Sequence, residues 1–108
     1  MDKYIDIEFP THIESNGEAI IDIIEDLDSE QSGEALRIAF NDLFDKGKKN
    51  IILDMSQVEV INSYGIGKIL ICNKKLQEEK GKLTILGANG FVEEIFKLLM
   101  LDKILDIR

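Results

Sequence analysis

The sequence predicts an α/β fold in one domain, residues 1–108, with a mixed β-sheet of about four to five strands and helices packed mainly on one face. Three observations predict this class. Short apolar runs alternate with amphipathic helical segments along the chain. An Asn-Gly pair near the start is typical of a hairpin between antiparallel strands. The length of 108 residues suits one domain, and a hydrophobic fraction of 44% is enough for a buried core.

The first elements form the antiparallel part of the predicted sheet. Residues 4–9 alternate between apolar and polar side chains, which is the pattern of a strand with one face in water. Pro10 ends that strand or marks a sheet edge, because proline donates no ladder hydrogen bond. Asn16 and Gly17 tolerate the positive φ angles of a tight turn, so we expect two antiparallel strands to meet there, the second at about 18–25.

Helices and strands alternate over the rest of the chain. Asp28 is the predicted cap of the first helix, with Gln31 reaching back to it, and Gly47 ends that helix. The later elements are a wholly apolar strand at 51–53, a helix from about 63 to 81, a strand at 82–86, a helix at about 89–99 and an edge strand within 104–107. The spacing predicts that the third helix buries Val92, Ile95, Phe96 and Leu99. The predicted order is β-β-α-β-α-β-α-β.

The charge distribution limits the classes of partner. The formal net charge is −8, from 13 basic and 21 acidic residues. Residues 1–45 contain two basic residues against thirteen acids, which argues against nucleic acid or an anionic membrane as the main partner and favours a protein with basic patches. No apolar run reaches the ~20 residues of a membrane span, and the first residues lack a signal peptide's pattern. We therefore expect a cytoplasmic protein.

Enzymatic and metal chemistry lack the residues that they need. His12 is the only histidine and Cys72 the only cysteine, so a zinc site would be two ligands short and no motif pairs His12 with a nucleophile. The acidic stretch at 22–30 lacks the spacing of a calcium loop. We therefore predict no catalytic residue, no metal site and no cofactor, with Cys72 as a small core residue.

Residues 62–67, Asn-Ser-Tyr-Gly-Ile-Gly, are the most informative segment. They lie between the strand that ends at Asp54 and the second helix. The glycines would allow close backbone approach, but neither a dinucleotide-binding nor a P-loop pattern is complete. Ser63 is well placed as the helix N-cap. A phosphate on Ser63 would be stabilised by the helix dipole, and it would add about two negative charges to a surface that could dock another protein.

Several segments in succession resemble the STAS domain family over almost the whole chain, and within it the stand-alone bacterial anti-sigma factor antagonists. The family pattern of glycine, any residue, Leu-Asp corresponds to Glu-Asp-Leu-Asp at 25–28, and the apolar third strand corresponds to Ile-Ile-Leu-Asp-Met-Ser at 51–56. The family pattern at the start of the second helix corresponds to residues 62–67, and the resemblance continues through 82–87 and 101–105.

The resemblance implies a binding switch. An unphosphorylated antagonist captures an anti-sigma factor that is also a serine kinase, phosphorylation of the serine at the start of the second helix ends the capture, and a serine phosphatase resets the cycle. By this resemblance Ser63 is the phosphoacceptor, and ATP is used by the partner kinase while this chain binds no cofactor. The other residues of the implied partner-binding site are Asp28, Asn62, Tyr64, Gly65, Ile66 and Gly67.

Five positions depart from the family pattern. Asn62 replaces the aspartate before the acceptor serine, Tyr64 replaces a small hydroxyl residue, and Glu25 replaces a glycine. Leu99 and Met100 stand where a Thr-Gly pair is common. The change at Asn62 removes a negative charge beside the hydroxyl, and Tyr64 adds a ring to the predicted docking surface.

Two other interpretations stay open. An interaction or scaffold module with the same fold would bind its partner whatever the state of Ser63. Alternatively, Asp54 could accept a phosphoryl group as in a response-regulator receiver, because it ends an apolar strand. Against this, the chain opens with a hairpin instead of a β-α unit followed by paired acids. The lysine expected at a later strand end is also absent, since Leu-Gly-Ala occupies 86–88.

Overall fold

The structure is a computed structural model that describes residues 7–108. Its elements are β1 (Thr11–Ile13), β2 (Ala19–Asp22), α1 (Glu30–Asp45), β3 (Asn50–Asp54), α2 (Ser63–Glu78), β4 (Lys82–Leu86), α3 (Gly90–Leu98), a 3-10 turn (Leu101–Lys103) and β5 (Asp106–Ile107). This is the predicted order, with the 3-10 turn added before the last strand. None of the described helices is long and apolar enough to span a bilayer.

The predicted strand at 4–9 is not found where it can be checked. Residues 4–6 lie outside the described residues, and residues 7–9 are not in a strand. The sheet begins after Pro10, whose carbonyl oxygen accepts a hydrogen bond from the backbone N–H of Asp22 at 2.8 Å. Phe9 is instead 3% exposed within the core and Ile7 packs against it, so these two residues contact the domain without joining its sheet.

The five strands form one mixed sheet in the order β1-β2-β3-β4-β5. β1 and β2 are antiparallel and connect through the Asn16-Gly17 turn, in which Gly17 has a φ of 89°. The three other pairs are parallel. Both the hairpin and the mixed sheet are therefore confirmed. Because each parallel strand is added on the same side of its predecessor, right-handed crossovers place all three helices on one face of the sheet.

One hydrophobic core lies between that face and the helices. Alternate strand residues point into it, as the two-residue period of a strand requires. The buried strand residues of the core are Ala19, Ile21, Ile51, Leu53, Leu83 and Ile85, and the helices contribute among others Leu36, Phe40, Ile69, Leu76, Val92 and Phe96. On the other face, Thr84 donates a hydrogen bond from Oγ1 to Oδ2 of Asp106 at 2.9 Å, which ties the short edge strand β5 to β4.

The N-cap of the first helix lies one residue later than predicted. Ser29, and not Asp28, is the N-cap: its Oγ accepts a hydrogen bond from the backbone N–H of Ser32 at 3.0 Å. Ser32, and not Gln31, completes the capping box, because its Oγ accepts from the backbone N–H of Ser29 at 3.2 Å. At the other end Gly47 has a φ of 85°, so the predicted glycine stop is confirmed.

The end of the third helix also differs from the prediction. Val92 and Phe96 are buried as expected, but Leu99 is 50% exposed. The helix ends at Leu98, and Met100 then adopts the left-handed conformation with a φ of 59°. This turn brings Leu101 into the core in place of Leu99.

Candidate functional site

Two loops meet where neighbouring parallel strands end. The β2–α1 loop comprises residues 23–29 and the β3–α2 loop comprises residues 55–62. Because β2 and β3 are parallel and adjacent, their carboxyl ends lie at the same edge of the sheet. Such edges are where α/β proteins place their functional loops. We refer to these two segments as the paired loops.

The paired loops are joined through Leu27 and Ile61, which form an isolated parallel bridge outside the named strands. The backbone N–H of Leu27 donates to the carbonyl oxygen of Val60 at 3.1 Å. The N–H of Asn62 donates back to the carbonyl oxygen of Leu27 at 3.2 Å. The side chains of Leu27 and Ile61 are buried in the core, so the bridge anchors the start of α2 to the body of the domain.

Asp26 adds a side-chain contact between the paired loops. Its Oδ1 accepts hydrogen bonds from the backbone N–H of Glu59 at 2.8 Å and of Val60 at 3.1 Å. In the sequence, Asp26 is one member of the acidic stretch at 22–30 and the second residue of the Glu-Asp-Leu-Asp segment. No local pattern could have identified this role, because its hydrogen-bond partners lie 33 and 34 residues further along the chain.

Asn62 caps the second helix, so the prediction that Ser63 is the N-cap was wrong. The Oδ1 of Asn62 accepts from the backbone N–H of Tyr64 at 3.0 Å, while its Nδ2 donates to the carbonyl oxygen of Asp28 at 2.9 Å. An amide side chain carries both an acceptor and a donor, which allows Asn62 to cap α2 and contact the neighbouring loop at once.

Ser63 is the first residue of α2, and its side chain is exposed. The capping role belongs to Asn62. Among residues 7–108, the Ser63 hydroxyl has no hydrogen-bond partner. Tyr64, the next residue, is 52% exposed. The first turn of α2 contains no acidic residue. The exposed hydroxyl therefore lies at the positive end of the helix dipole without a carboxylate on the same turn.

The two glycines of the segment have different surroundings. A Cβ on Gly65 would lie 2.5 Å from the carbonyl oxygen of Leu27 and 2.6 Å from its Cβ, so only glycine permits this contact between α2 and the β2–α1 loop. A Cβ on Gly67 would meet no atom within 4 Å. Ile66 is half-buried and packs against the core.

The remaining sequence candidates have structural partners. The Oδ1 of Asp54 accepts hydrogen bonds from both the backbone N–H and the Oγ of Ser56, at 3.0 and 2.8 Å, and so stabilises the turn after β3. The Nε2 of His12 lies 3.0 Å from a carboxylate oxygen of Glu14. Burial raises the pKa of the Cys72 thiol to about 12, which leaves it protonated at neutral pH. Within residues 7–108 no three His, Cys, Asp or Glu side chains are grouped to hold a metal ion.

Comparison with protein families and with curated proteins gives one consistent result. The model of the STAS domain matches residues 4–108. A candidate anti-sigma factor antagonist, BtrV of Bordetella bronchiseptica, is 30% identical over 54 residues, which are 50% of this chain and 47% of that protein. A candidate anti-sigma factor antagonist of Thermotoga maritima is 32% identical over 68 residues, 63% of this chain and 60% of that protein. The matched stretches thus span about half to three fifths of these relatives.

Solved structures show the same architecture. The crystal structure of the candidate antagonist from Thermotoga maritima has a TM-score of 0.84 and 28% identity, covering 92% of this chain and 84% of that one. The anti-sigma factor antagonist SpoIIAA in its unphosphorylated form has a TM-score of 0.72 and 17% identity, covering 93% and 86%. The phosphorylated form of the Bacillus cell fate determinant SpoIIAA has a TM-score of 0.71 and 18% identity, covering 93% and 90%. At these last two identities the likeness concerns the fold alone.

Proposed function

The chain belongs to the STAS domain family, and we propose that it is an anti-sigma factor antagonist whose binding to its partner is switched by phosphorylation of Ser63. The unphosphorylated chain binds an anti-sigma factor that is also a serine kinase. The kinase transfers the γ-phosphoryl group of ATP to Oγ of Ser63, and the modified chain is released. A serine phosphatase hydrolyses the phosphate ester and restores binding.

The observation that carries this proposal is the exposed hydroxyl of Ser63 at the first position of α2. A kinase must reach that oxygen, and neighbouring side chains do not cover it. A phosphate there faces the N-terminal end of a helix, where the backbone dipole stabilises negative charge. The modified chain therefore keeps its fold while its surface charge changes, which is what a reversible binding switch requires.

The surroundings of Ser63 suit a protein partner. Tyr64 presents an aromatic side chain that is 52% exposed, and aromatic residues are enriched at binding surfaces. The adjacent β2–α1 loop carries exposed acids at Glu25 and Asp28. A docking surface that combines a ring with carboxylates fits a partner with a basic patch, and a phosphate beside it would alter that charge balance.

A module that binds its partner without a switch is the second candidate. It is favoured by Asn62 and Tyr64, which depart from the family pattern on either side of Ser63. Under that alternative, a negative charge at position 63 leaves partner affinity unchanged. The Asp54 phosphoacceptor alternative gains no support, since Asp54 is engaged with Ser56 in a turn.

The test is to incubate the purified chain with ATP and the anti-sigma serine kinases of the source organism, and to locate phosphate by mass spectrometry. We expect one phosphate, on Ser63, and its loss in Ser63→Ala. Ser15→Ala is the matched control, because Ser15 is also exposed but lies in the hairpin turn. Phosphate on another residue, or full incorporation into Ser63→Ala, would contradict the assignment.

A further inference from the structure

In the middle of the β3–α2 loop, few backbone N–H groups donate to a backbone carbonyl oxygen. Near its start, the N–H of Met55 donates to Leu86 at 2.8 Å and the N–H of Val58 donates to Met55 at 3.0 Å. The next two N–H groups, those of Glu59 and Val60, both donate to Oδ1 of Asp26. Removal of that one carboxylate therefore leaves two consecutive backbone donors without a protein acceptor.

The contact of Asp26 with Glu59 and Val60 lies directly before the residues that lead into α2 and Ser63. Val60 also accepts from the N–H of Leu27, and Ile61 and Asn62 follow it directly into α2. Hydrogen bonds from backbone N–H groups to a carboxylate are stronger than those between neutral groups. Asp26 is half-buried and is not among the core residues, so its side chain contributes a polar contact between the loops and no apolar contact to the core.

We infer that Asp26 is the positioning residue of the switch: its carboxylate holds the β3–α2 loop against the β2–α1 loop, so that Ser63 is presented in one binding-competent arrangement. This inference rests on the proposed function of Ser63. Without the carboxylate the loop samples other arrangements, and the apparent affinity of the kinase falls with the fraction of chains that remain competent. Once bound, Ser63 reacts as before, because Asp26 acts through the loop and not on the hydroxyl.

The experiment compares three variants. Asp26→Ala removes the acceptor, Asp26→Asn keeps a carbonyl oxygen that accepts both N–H groups, and Glu25→Ala removes an adjacent exposed acid. The Glu25 side chain forms no hydrogen bond or ion pair within residues 7–108, so Glu25→Ala controls for the lost charge. In Asp26→Ala we expect the amide hydrogens of Glu59 and Val60 to exchange about tenfold faster or more, as measured by NMR. Asp26→Asn should restore most of the protection, and Glu25→Ala should leave it unchanged.

The second readout separates positioning from general destabilisation. With the kinase that modifies Ser63, Asp26→Ala should raise KM about tenfold at unchanged kcat, with rescue by Asp26→Asn. Unchanged amide exchange in Asp26→Ala, or faster exchange with an unchanged KM, would overturn the inference.

If the wild-type chain is not phosphorylated on Ser63, the proposed function fails, and the exchange rates alone then decide whether Asp26 holds the loop. If Asp26→Ala does not fold, Asp26→Leu takes its place in both measurements, because leucine keeps the branched shape of the side chain but offers no acceptor to Glu59 and Val60.

Discussion

Gly65 shows how one absent atom determines the position of α2. The carbonyl oxygen of Leu27 occupies the space that a Cβ at this position would need. Gly67, two residues later on the same helix, has open space at the corresponding point. The two glycines lie in the same helix, but only Gly65 is in close contact with another segment. They therefore form a matched pair for substitution.

We predict opposite effects of alanine at the two glycines. Gly65→Ala should lower the free energy of unfolding by about 3 kcal/mol or more, because the atom that it meets is backbone and cannot rotate away. Gly67→Ala should raise it by about 0.5–1 kcal/mol, because alanine is the better helix former. Urea denaturation of both variants measures the difference. Equal effects of the same sign would contradict the close approach at Leu27.

Met100 adopts a strained backbone conformation. Its φ of 59° lies in the left-handed region, which costs a residue with a Cβ about 1–2 kcal/mol. The side chain is 60% exposed and therefore contributes little burial that would offset this cost.

Replacement of Met100 by glycine should consequently stabilise the domain. We expect Met100→Gly to raise the free energy of unfolding by about 0.5–1 kcal/mol, after the greater freedom of glycine in the unfolded chain is counted. Met100→Ala keeps the Cβ and should leave stability nearly unchanged. Thermal unfolding of the three proteins gives the comparison, and a glycine variant no more stable than the alanine variant would show that Met100 is not strained.

At the scale of elements, most strand and helix interiors followed from local sequence, whereas the N-caps of α1 and α2 did not. β4 was predicted at its observed bounds, 82–86, because glycines flank a short apolar run on both sides. The cap of α1 was missed by one residue, because Asp28 is as good a capping residue as Ser29 in isolation. The choice is made by Ser32, which is buried and closes the capping box, and by Asn62, which contacts the carbonyl oxygen of Asp28.

The cap of α1 can be tested with its two candidates. Ser29→Ala should lower the free energy of unfolding by about 1 kcal/mol, because the N–H of Ser32 loses its acceptor. Asp28→Ala should cost less than about 0.5 kcal/mol, because its structural contact is made by the backbone carbonyl oxygen. Chemical denaturation at neutral pH provides both values. A larger loss of stability in Asp28→Ala than in Ser29→Ala would instead identify Asp28 as the cap of α1.

At the scale of the whole molecule, the sequence pointed to a candidate segment but not to the contacts that hold it in place. Residues 62–67 are contiguous, so a local pattern and a family resemblance were enough to propose them as the candidate segment. The paired loops come from segments more than 30 residues apart, and their contacts exist only once β2 and β3 lie side by side. The role of Asp26 and the close approach at Gly65 therefore required the fold.

Under the proposed function, the position of Ser63 in the fold would let added charge act on a partner without disturbing the domain. The core lies between the helices and one face of the sheet, and Ser63 lies outside it at the loop edge. A negative charge there changes the surface while the buried contacts stay as they are. Phosphorylation should thus affect binding far more than stability.

The most direct test of this account is the affinity of the unmodified chain, the Ser63-phosphorylated chain and Ser63→Glu for the anti-sigma serine kinase, measured by titration calorimetry. We predict that both charged forms bind more weakly by about 1–3 kcal/mol. Ser15→Glu, with the same charge placed in the hairpin turn, should bind like the unmodified chain. Equal affinity of all four forms would show that position 63 does not control the complex.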